Sequence, residues 1–409
     1  MAAMIGNVLE YYDFLVYAFL APIVARKFFN GGELASLLAT FAAFGVGFLA
    51  RPVGGVLIGR IADKRGRRVA LLITIFGMAI GTVGIGLIPS YGTIGILAPI
   101  LLVLLRIAQG LAAGGAWGSA TAFIVESAPH GQRGLYGGLG QTSIAGSTLV
   151  CSVIVALISA WFSPSQLDDW GWRVPFLLGF ILLPVGTYMR RNIAETPLFV
   201  RAKAELERPA KELERTALGL MSKAFGFTII WTVSYYLMLV YMPTFLSKYA
   251  GLTQTQALVS NSIALLVLVA TTPCFGWLSD RVGRKPLLLG CCVGFALLSY
   301  PLFLVLLSGA SFLTILGVQI ILNLFLAAFS GAGPAALCEL FQTQSRTTLM
   351  SIGYSLSTAV FGGFAPFIST WLISVSGSPI SPSLYLSAAA VVSGIVICTF
   401  HETAHERLR

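Results

Sequence analysis

The sequence predicts an all-α membrane protein of about twelve spanning helices, arranged as two six-helix bundles. Composition, recurring long apolar stretches and an internal repeat lead to that reading. Over 409 residues the chain is 56% hydrophobic and only 10% charged, with a mean hydropathy of +0.86. A soluble chain of this length needs far more charge to stay dissolved. The net charge of +10 does not point to nucleic acid, because no basic stripe interleaves with aromatic residues. Cys151, Cys274, Cys291, Cys292, Cys338 and Cys398 all lie in apolar segments without metal-ligand spacing. They read as small core hydrophobes, and no metal site is expected. Met1 runs almost directly into an apolar stretch that contains acidic residues, unlike a cleavable leader, so the first helix is expected to remain.

A bilayer-spanning helix needs about 20 apolar residues. Stretches of that kind fall at 4–27, 34–60, 69–90, 94–126, 134–160 and 172–192, then at 220–248, 255–280, 286–308, 311–340, 347–374 and 381–400. They are numbered here as spans 1 to 12. Residues 193–219 break the pattern, being rich in Glu, Lys and Arg, with Glu207 four residues before Lys211. That spacing supports a solvated helix. The expected organisation is an amino-terminal bundle over 1–192, a cytoplasmic linker over 193–219 and a carboxy-terminal bundle over 220–409.

Basic residues orient the bundle. With both termini inside, twenty of the twenty-six Lys and Arg residues fall on the cytoplasmic side, and only Arg26, Lys27, Arg173 and Lys248 fall outside. Such a bias sets topology by the positive-inside rule. It predicts a multi-pass protein of a bacterial inner membrane with cytoplasmic termini.

The internal repeat is the most specific feature. Gly59-Arg-Ile-Ala-Asp63-Lys64-Arg-Gly66-Arg67-Arg68 follows span 2, and Gly276-Trp-Leu-Ser-Asp280-Arg281-Val-Gly283-Arg284-Lys285 follows span 8 with identical spacing. Glu126 and Arg133 after span 4 recur as Glu339 and Arg346 after span 10. Two matches at nearly equal offsets imply a duplicated six-helix unit, an architecture used by transporters.

At these residues the chain resembles the major facilitator superfamily, whose loop signature after helix 2 reads G-x-x-x-D-[RK]-x-G-[RK]-[RK]. Within it the chain is similar to the metabolite:proton symporters. That likeness rests on Gly6-Asn7-Val-Leu-Glu10-Tyr11-Tyr12-Asp13-Phe14, Ala50-Arg51-Pro52-Val-Gly54-Gly55 and Arg106-Ile-Ala-Gln109-Gly110. It rests also on Trp170-Gly171-Trp172-Arg173-Val-Pro175-Phe176, Glu195-Thr196-Pro197 and Tyr241-Met242-Pro243-Thr244. Members often carry Glu in span 4 where this chain has Ala116, so any role of that carboxylate is missing here. The resemblance implies the major facilitator fold, alternating access and coupling to protons, with no cofactor and no enzymatic activity.

Span 1 is apolar except for Asn7, Glu10, Asp13 and Tyr17, whose spacings of three and four put them on one helix face. Ionisable groups inside a span are costly unless they meet a partner or a watered cavity. Asp13, Arg51 and Arg106 fall at similar depth near the midplane. Asp13 is the expected proton carrier and Arg106 its charge partner, as the match to sugar–proton symporters implies. A permanent Asp13–Arg106 salt bridge is the structural alternative, and Glu10 is the rival carrier. Arg51 and Arg106 suit a carboxylate, although Arg51 could instead pair with Glu10 or Asp13. Asn7, Tyr17, Gln109, Tyr235, Tyr236 and Asn323 are further candidates to touch substrate, with Trp231 beside them, whereas aromatic residues in spans are more often core. Gly110 and Gly114 suit close helix packing.

The resemblance also implies a cytoplasmic gate of Gly59, Asp63, Arg67, Arg68, Glu126, Arg133, Asp280, Arg284, Glu339 and Arg346. In it, each Asp meets a helix N-terminus. No nucleotide-binding loop, nucleophile triad or in-span histidine is visible. Span 5 lacks the proline expected of a drug antiporter, and span 7 lacks the Gln-Gln pair of a sugar porter. The expected function is therefore proton-coupled import of a small organic acid by a monomer in the lipid bilayer. A proline or betaine carrier is the main alternative. The short stretch after span 12 weighs against the latter, since osmosensing members carry a long coiled-coil tail.

Overall fold

In a computed structural model, the backbone is described for residues 2–65, 67–114, 116–180, 184, 214–341, 346–404 and 406. The side chains of 2–10, 59–60, 62–72, 116, 119, 214–217 and 347–348 lie outside the described residues, as does most of the expected linker 193–219. Among the described residues the ordered elements are helices, without strands. Eight are long and apolar enough to cross a membrane: spans 2, 5 and 7 to 12. Two shorter apolar helices, Ile73–Leu87 and Leu97–Ala112, belong to spans 3 and 4. Span 1 is Ala2–Phe19 followed by Ala21–Phe28, and span 6 is described only in part, over residues 174–180 and 184.

Local chemistry sets where the helices start, stop and bend. Span 8 (Gln254–Val282) opens on a capping box of Thr253 with Gln256, which satisfies two orphan N–H groups at once. It stops at Gly283, whose φ of 109° is a region side chains avoid, and Arg284 starts span 9 (Arg284–Leu307) immediately. Span 4 breaks between Leu97–Ala112 and Ala116–Glu126. Spans 7 and 11 each contain a π-helical segment, Tyr236–Tyr241 and Thr358–Gly362. Such segments widen the turn and free carbonyls. One of these carbonyls, at Leu239, accepts from Asn261 Nδ2 of span 8 at 3.2 Å.

Without a hydrophobic drive between helices in lipid, close backbone approach must hold them together. Small residues supply it. A Cβ at Gly110 in span 4 would collide with the Gly47 carbonyl of span 2 (Glu33–Arg65), and one at Gly114 would strike the backbone at Gly55. This crossing brings Arg51 and Arg106 into one cluster. The most extensive packing joins span 5 (Arg133–Trp161) to span 8, with span 10 (Phe312–Glu339) against both. The halves also meet where span 2 crosses span 11 (Arg346–Ser376) and where the Ala116–Glu126 helix lies on span 11.

Gly331 of span 10 sits against span 8, where an added Cβ would lie 2.6 Å from the Gly276 nitrogen and 2.7 Å from the Thr272 carbonyl. Backbone cannot yield as a side-chain tip can, and overpacking of this kind costs about 1–3 kcal/mol. Gly331→Ala is therefore expected to lower the melting temperature of the detergent-solubilised protein. Gly317→Ala on the same span, with nothing within 4 Å, should melt at the parent temperature.

Candidate functional site: a cavity between two closed layers

Three groups of residues stand out, two along the boundary between the halves and one within the amino-terminal half. The first is at the membrane face that carries the chain termini. Asp280 accepts from the backbone N–H groups of Gly134 (2.8 Å) and Leu135 (2.9 Å) in the first turn of span 5, where a carboxylate is favoured. A side chain at Gly134 would collide with the Gly276 carbonyl, so glycine is what allows this approach. Arg284 donates to Asp280 at 2.7 Å and to Glu339 at 3.2 Å. Arg133 lies 3.4 Å from Glu339, and Arg346 lies 2.5 Å from Glu126. The last two pairs are reciprocal. Each joins the arginine that begins span 5 or 11 to the glutamate that ends span 10 or 4 of the other half.

Residues 399–404 and 406 fold over this layer. Glu402 accepts from the N–H groups of Arg284 and Lys285, both at 2.9 Å. Thr403 donates to Glu339 at 2.6 Å, and Arg133 donates to the Glu406 carbonyl at 2.9 Å. Partial burial pushes the Glu402 carboxyl upward, but the N–H groups of Arg284, Lys285, Ala404 and Thr403 outweigh it and hold it below its ordinary value. Gly59, Asp63, Arg67 and Arg68, the other expected members of the gate, lie outside the described residues.

The second group is a charge cluster within the amino-terminal half. Arg106 is fully buried. Its Nη1 donates to Gln109 Oε1 at 2.9 Å, and Gln109 Nε2 donates to Thr82 at 2.7 Å. The guanidinium lies 3.7 Å from the centre of the Tyr17 ring, and the Tyr17 hydroxyl donates to the Thr40 carbonyl at 2.9 Å. Among the described residues, Arg106 Nε and Nη2 have no hydrogen-bond partner. Asp13, 8% exposed, faces Gly179 of span 6 and Thr82 of span 3. It is within electrostatic reach of Arg106. Arg51 stacks 4.3 Å from Phe14 and 4.5 Å from Phe48, so Phe14 stands between the two arginines. Asn7 and Glu10 lie outside the described residues.

The third is a small cavity lined by Tyr11, Gln141, Ile144, Trp231, Thr232, Tyr235, Tyr236 and Tyr354. Both halves contribute. Of the expected contact residues, Tyr235 and Tyr236 line it, with Trp231. Tyr235 shares a 2.9 Å hydrogen bond with Thr148, and Trp231 donates to Ser330 at 3.0 Å. Asn323 is not a wall residue; its amide donates to the Gln319 carbonyl at 2.9 Å. Arg106, Gln109 and Tyr17 also stand back from the wall, whereas Arg51 reaches its edge at Tyr11, 5.9 Å from the ring centre. Tyr11, Gln141 and Tyr354 were missed by sequence reasoning. A lone amide in apolar span 5 is a signal for Gln141, but nothing local distinguishes Tyr354 from a core tyrosine.

On the opposite face, Phe41 packs on Tyr241, Phe44 and Phe48 pack on Tyr236, and Lys248 meets Glu33 at 2.9 Å. Both ends of the boundary are closed in this state.

Two helical bundles with a cavity between them and ionised groups at mid-span define a multi-pass membrane transporter rather than an enzyme. Comparison with known proteins then gives the family. Residues 1–225 match the sugar (and other) transporter family and residues 225–409 the major facilitator superfamily; the chain belongs to that superfamily. A citrate–proton symporter of Klebsiella pneumoniae is 36% identical over 400 residues, covering 96% of this chain and 89% of that protein. A proline/betaine transporter of Escherichia coli K12 is 36% identical over 425 residues, covering 100% and 84%. The crystal structure of a D-xylose–proton symporter aligns with a TM-score of 0.79 at 20% identity, over 100% of this chain and 98% of that one. That likeness shows the fold, the twelve-helix one expected from the sequence.

Glu339 meets two arginines, and all three side chains are under 10% exposed. Removing one partner of a buried ion pair costs about 3–5 kcal/mol. Glu339→Gln is expected to open the termini face, so that a cysteine replacing Thr121 reacts several-fold faster with a maleimide added from that side. Glu126→Gln should do less, because Glu126 is 38% exposed and its pair is screened.

For Glu402, a lowered folded-state pKa means stability that is complete above the ordinary glutamate value of about 4.3 and lost as pH falls through the lowered one. Hydrogen-exchange protection of the Arg284 and Lys285 amides should therefore be flat above about pH 5 and fall in stronger acid.

Proposed function

We propose that the chain is a proton-coupled symporter that imports a small carboxylate-bearing metabolite by alternating access. It would act as a monomer in a bacterial inner membrane with cytoplasmic termini. One observation carries the reading: Arg106 is fully buried at mid-span with two guanidinium nitrogens, Nε and Nη2, lacking hydrogen-bond partners among the described residues, within electrostatic reach of Asp13. A charge so placed needs a counter-charge. When Asp13 is ionised it supplies one. When Asp13 takes up a proton the cluster gains net positive charge, and a substrate carboxylate restores the balance. Proton and anion then each make the other's binding less costly. Arg51, at the cavity edge, is the arginine that meets the carboxylate first, and Arg106 transmits the protonation state of Asp13. The membrane potential opposes entry of negative charge by about 2.3 kcal/mol per charge per 100 mV, so protons must accompany a polyanion. The citrate–proton symporter among the relatives supports this reading, with a mono-, di- or tricarboxylate as substrate.

A second reading is favoured by the cavity wall. Tyr11, Trp231, Tyr235, Tyr236 and Tyr354 present five aromatic rings, and such faces attract a quaternary ammonium group. A zwitterion with its carboxylate toward Arg51 and its onium group among the rings would use both features. The proline/betaine transporter among the relatives points the same way.

Uptake into proteoliposomes of labelled citrate, succinate, lactate, proline and glycine betaine, with and without a protonophore, separates the two readings. Protonophore-sensitive accumulation of the simple acids supports the first, and accumulation of betaine alone overturns it in favour of the second. In either case Asp13→Asn should abolish uphill accumulation while exchange persists. Arg51→Ala and Arg106→Ala should weaken substrate binding at least tenfold, about 1.4 kcal/mol. Arg106→Lys should not rescue, since a point charge cannot replace the planar fork.

A further inference from the structure

We infer that Trp117 of span 4 and Tyr354 of span 11 form a second, aromatic gate that seals the cavity floor, separate from the ion-pair layer at the termini face. The two rings stack across the halves with centroids 3.4 Å apart and planes 10° from parallel. Trp231 packs edge-on against both, at 5.8 Å and 6.0 Å. Tyr354 and Trp231 line the cavity, and Trp117 of span 4 covers Tyr354 from the other half. Nine residues separate Trp117 from Glu126, and eight separate Tyr354 from Arg346. At 1.5 Å per residue the stack stands about 12–14 Å from that ion pair. The two closures are distinct layers.

The rings differ in freedom. Trp231 is tied to span 10 by its hydrogen bond to Ser330. Trp117 has no hydrogen-bond partner for its indole N–H among the described residues, so the stack can slip without breaking a polar contact at Trp117. Beside the stack, spans 4 and 11 touch at Gly118, where any Cβ would collide with the Ser351 hydroxyl. A solute moving from the cavity to the termini face must part these two spans. An aromatic pair contributes about 0.5–1.5 kcal/mol beyond its buried area, enough to bias a gate and little enough to let it open.

This inference goes beyond the substrate reading and rests only on alternating access, so its test uses no substrate. The full-length chain, with exposed Cys274 and Cys398 replaced by Ser, carries Thr232→Cys on the cavity wall as reporter and is reconstituted in vesicles. A membrane-impermeant maleimide is applied from each face. Trp117→Ala is expected to raise reporter labelling from the termini face at least fivefold, with the rate from the opposite face unchanged. Trp117→Phe, which keeps a stacked ring, should label at the parent rate. Gly118→Val keeps all three rings and wedges the spans apart, and should raise labelling from the same face. Parent-rate labelling of both Trp117→Ala and Gly118→Val overturns the gate. So does a rise from both faces, which would mean a loosened bundle, or a rise in Trp117→Phe equal to that in Trp117→Ala. If Trp117→Ala does not fold, Gly118→Val alone decides the outcome by the same criterion.

Discussion

An ionised side chain in the middle of a bilayer must find compensation inside the protein, and Arg106 imposes that requirement on everything around it. Bulk solvent does not reach it, since the residue is fully buried. The compensation found here is the Tyr17 face, the Gln109 carbonyl oxygen and the field of Asp13. A desolvated cation–π contact contributes about 2 kcal/mol, less than the several kcal/mol that burying an ion costs. The remainder must come from nearby negative charge, and Asp13 is a carboxylate within electrostatic reach. Bringing those groups together requires spans 2 and 4 to cross at backbone contact, which is why glycines occupy the crossing at Gly47, Gly110 and Gly114.

The duplicated sequence has a physical consequence at the termini face. If two related halves pack about a pseudo-twofold axis, any contact made once is made twice with the partners exchanged. Arg133 with Glu339 and Arg346 with Glu126 are one such exchanged pair. The two copies are not equivalent. Glu339 is buried and shared with Arg284 and Thr403, whereas Glu126 is half-exposed. The carboxy-terminal residues contribute to the difference, because among the described residues Thr403 and the Glu406 carbonyl meet the Arg133–Glu339 side.

Helix number was legible in the sequence because it follows from period, and the repeat singled out Glu126, Arg133, Glu339 and Arg346, which the structure joins in reciprocal ion pairs. Asp13 and Arg106 stood out because a charge in an apolar span is conspicuous. The cavity wall was only partly legible. Tyr236 was among the candidates, but its neighbour Tyr354 looks like any core tyrosine, and only the packing of span 11 against span 4 gives it a role. Asn323 drew notice because it is a polar residue in an apolar helix; its Nδ2 donates one turn back within span 10, while its buried Oδ1 has no hydrogen-bond partner among the described residues. The π-helical segments at Tyr236–Tyr241 and Thr358–Gly362 leave no mark that helix periodicity can detect, since one extra residue per turn shifts the pattern without breaking it.

The two faces are closed by different physics, and that difference sets which opens more readily. At the opposite face the closure is aromatic packing and one ion pair whose Glu33 is 77% exposed. Exposed pairs of this kind contribute about 0–1 kcal/mol, and the aromatic contacts can re-form on either half. At the termini face, Asp280 accepts backbone N–H groups of the other half while also holding Arg284. Separating the halves there exposes orphan helix donors and buried charges together, and both must be rehydrated. An empty carrier with these closures opens more easily toward the opposite face. Only a ligand that draws the halves together around the cavity can compensate for breaking the termini-face network. That asymmetry ties opening of the termini face to occupancy, which limits leak through the empty carrier.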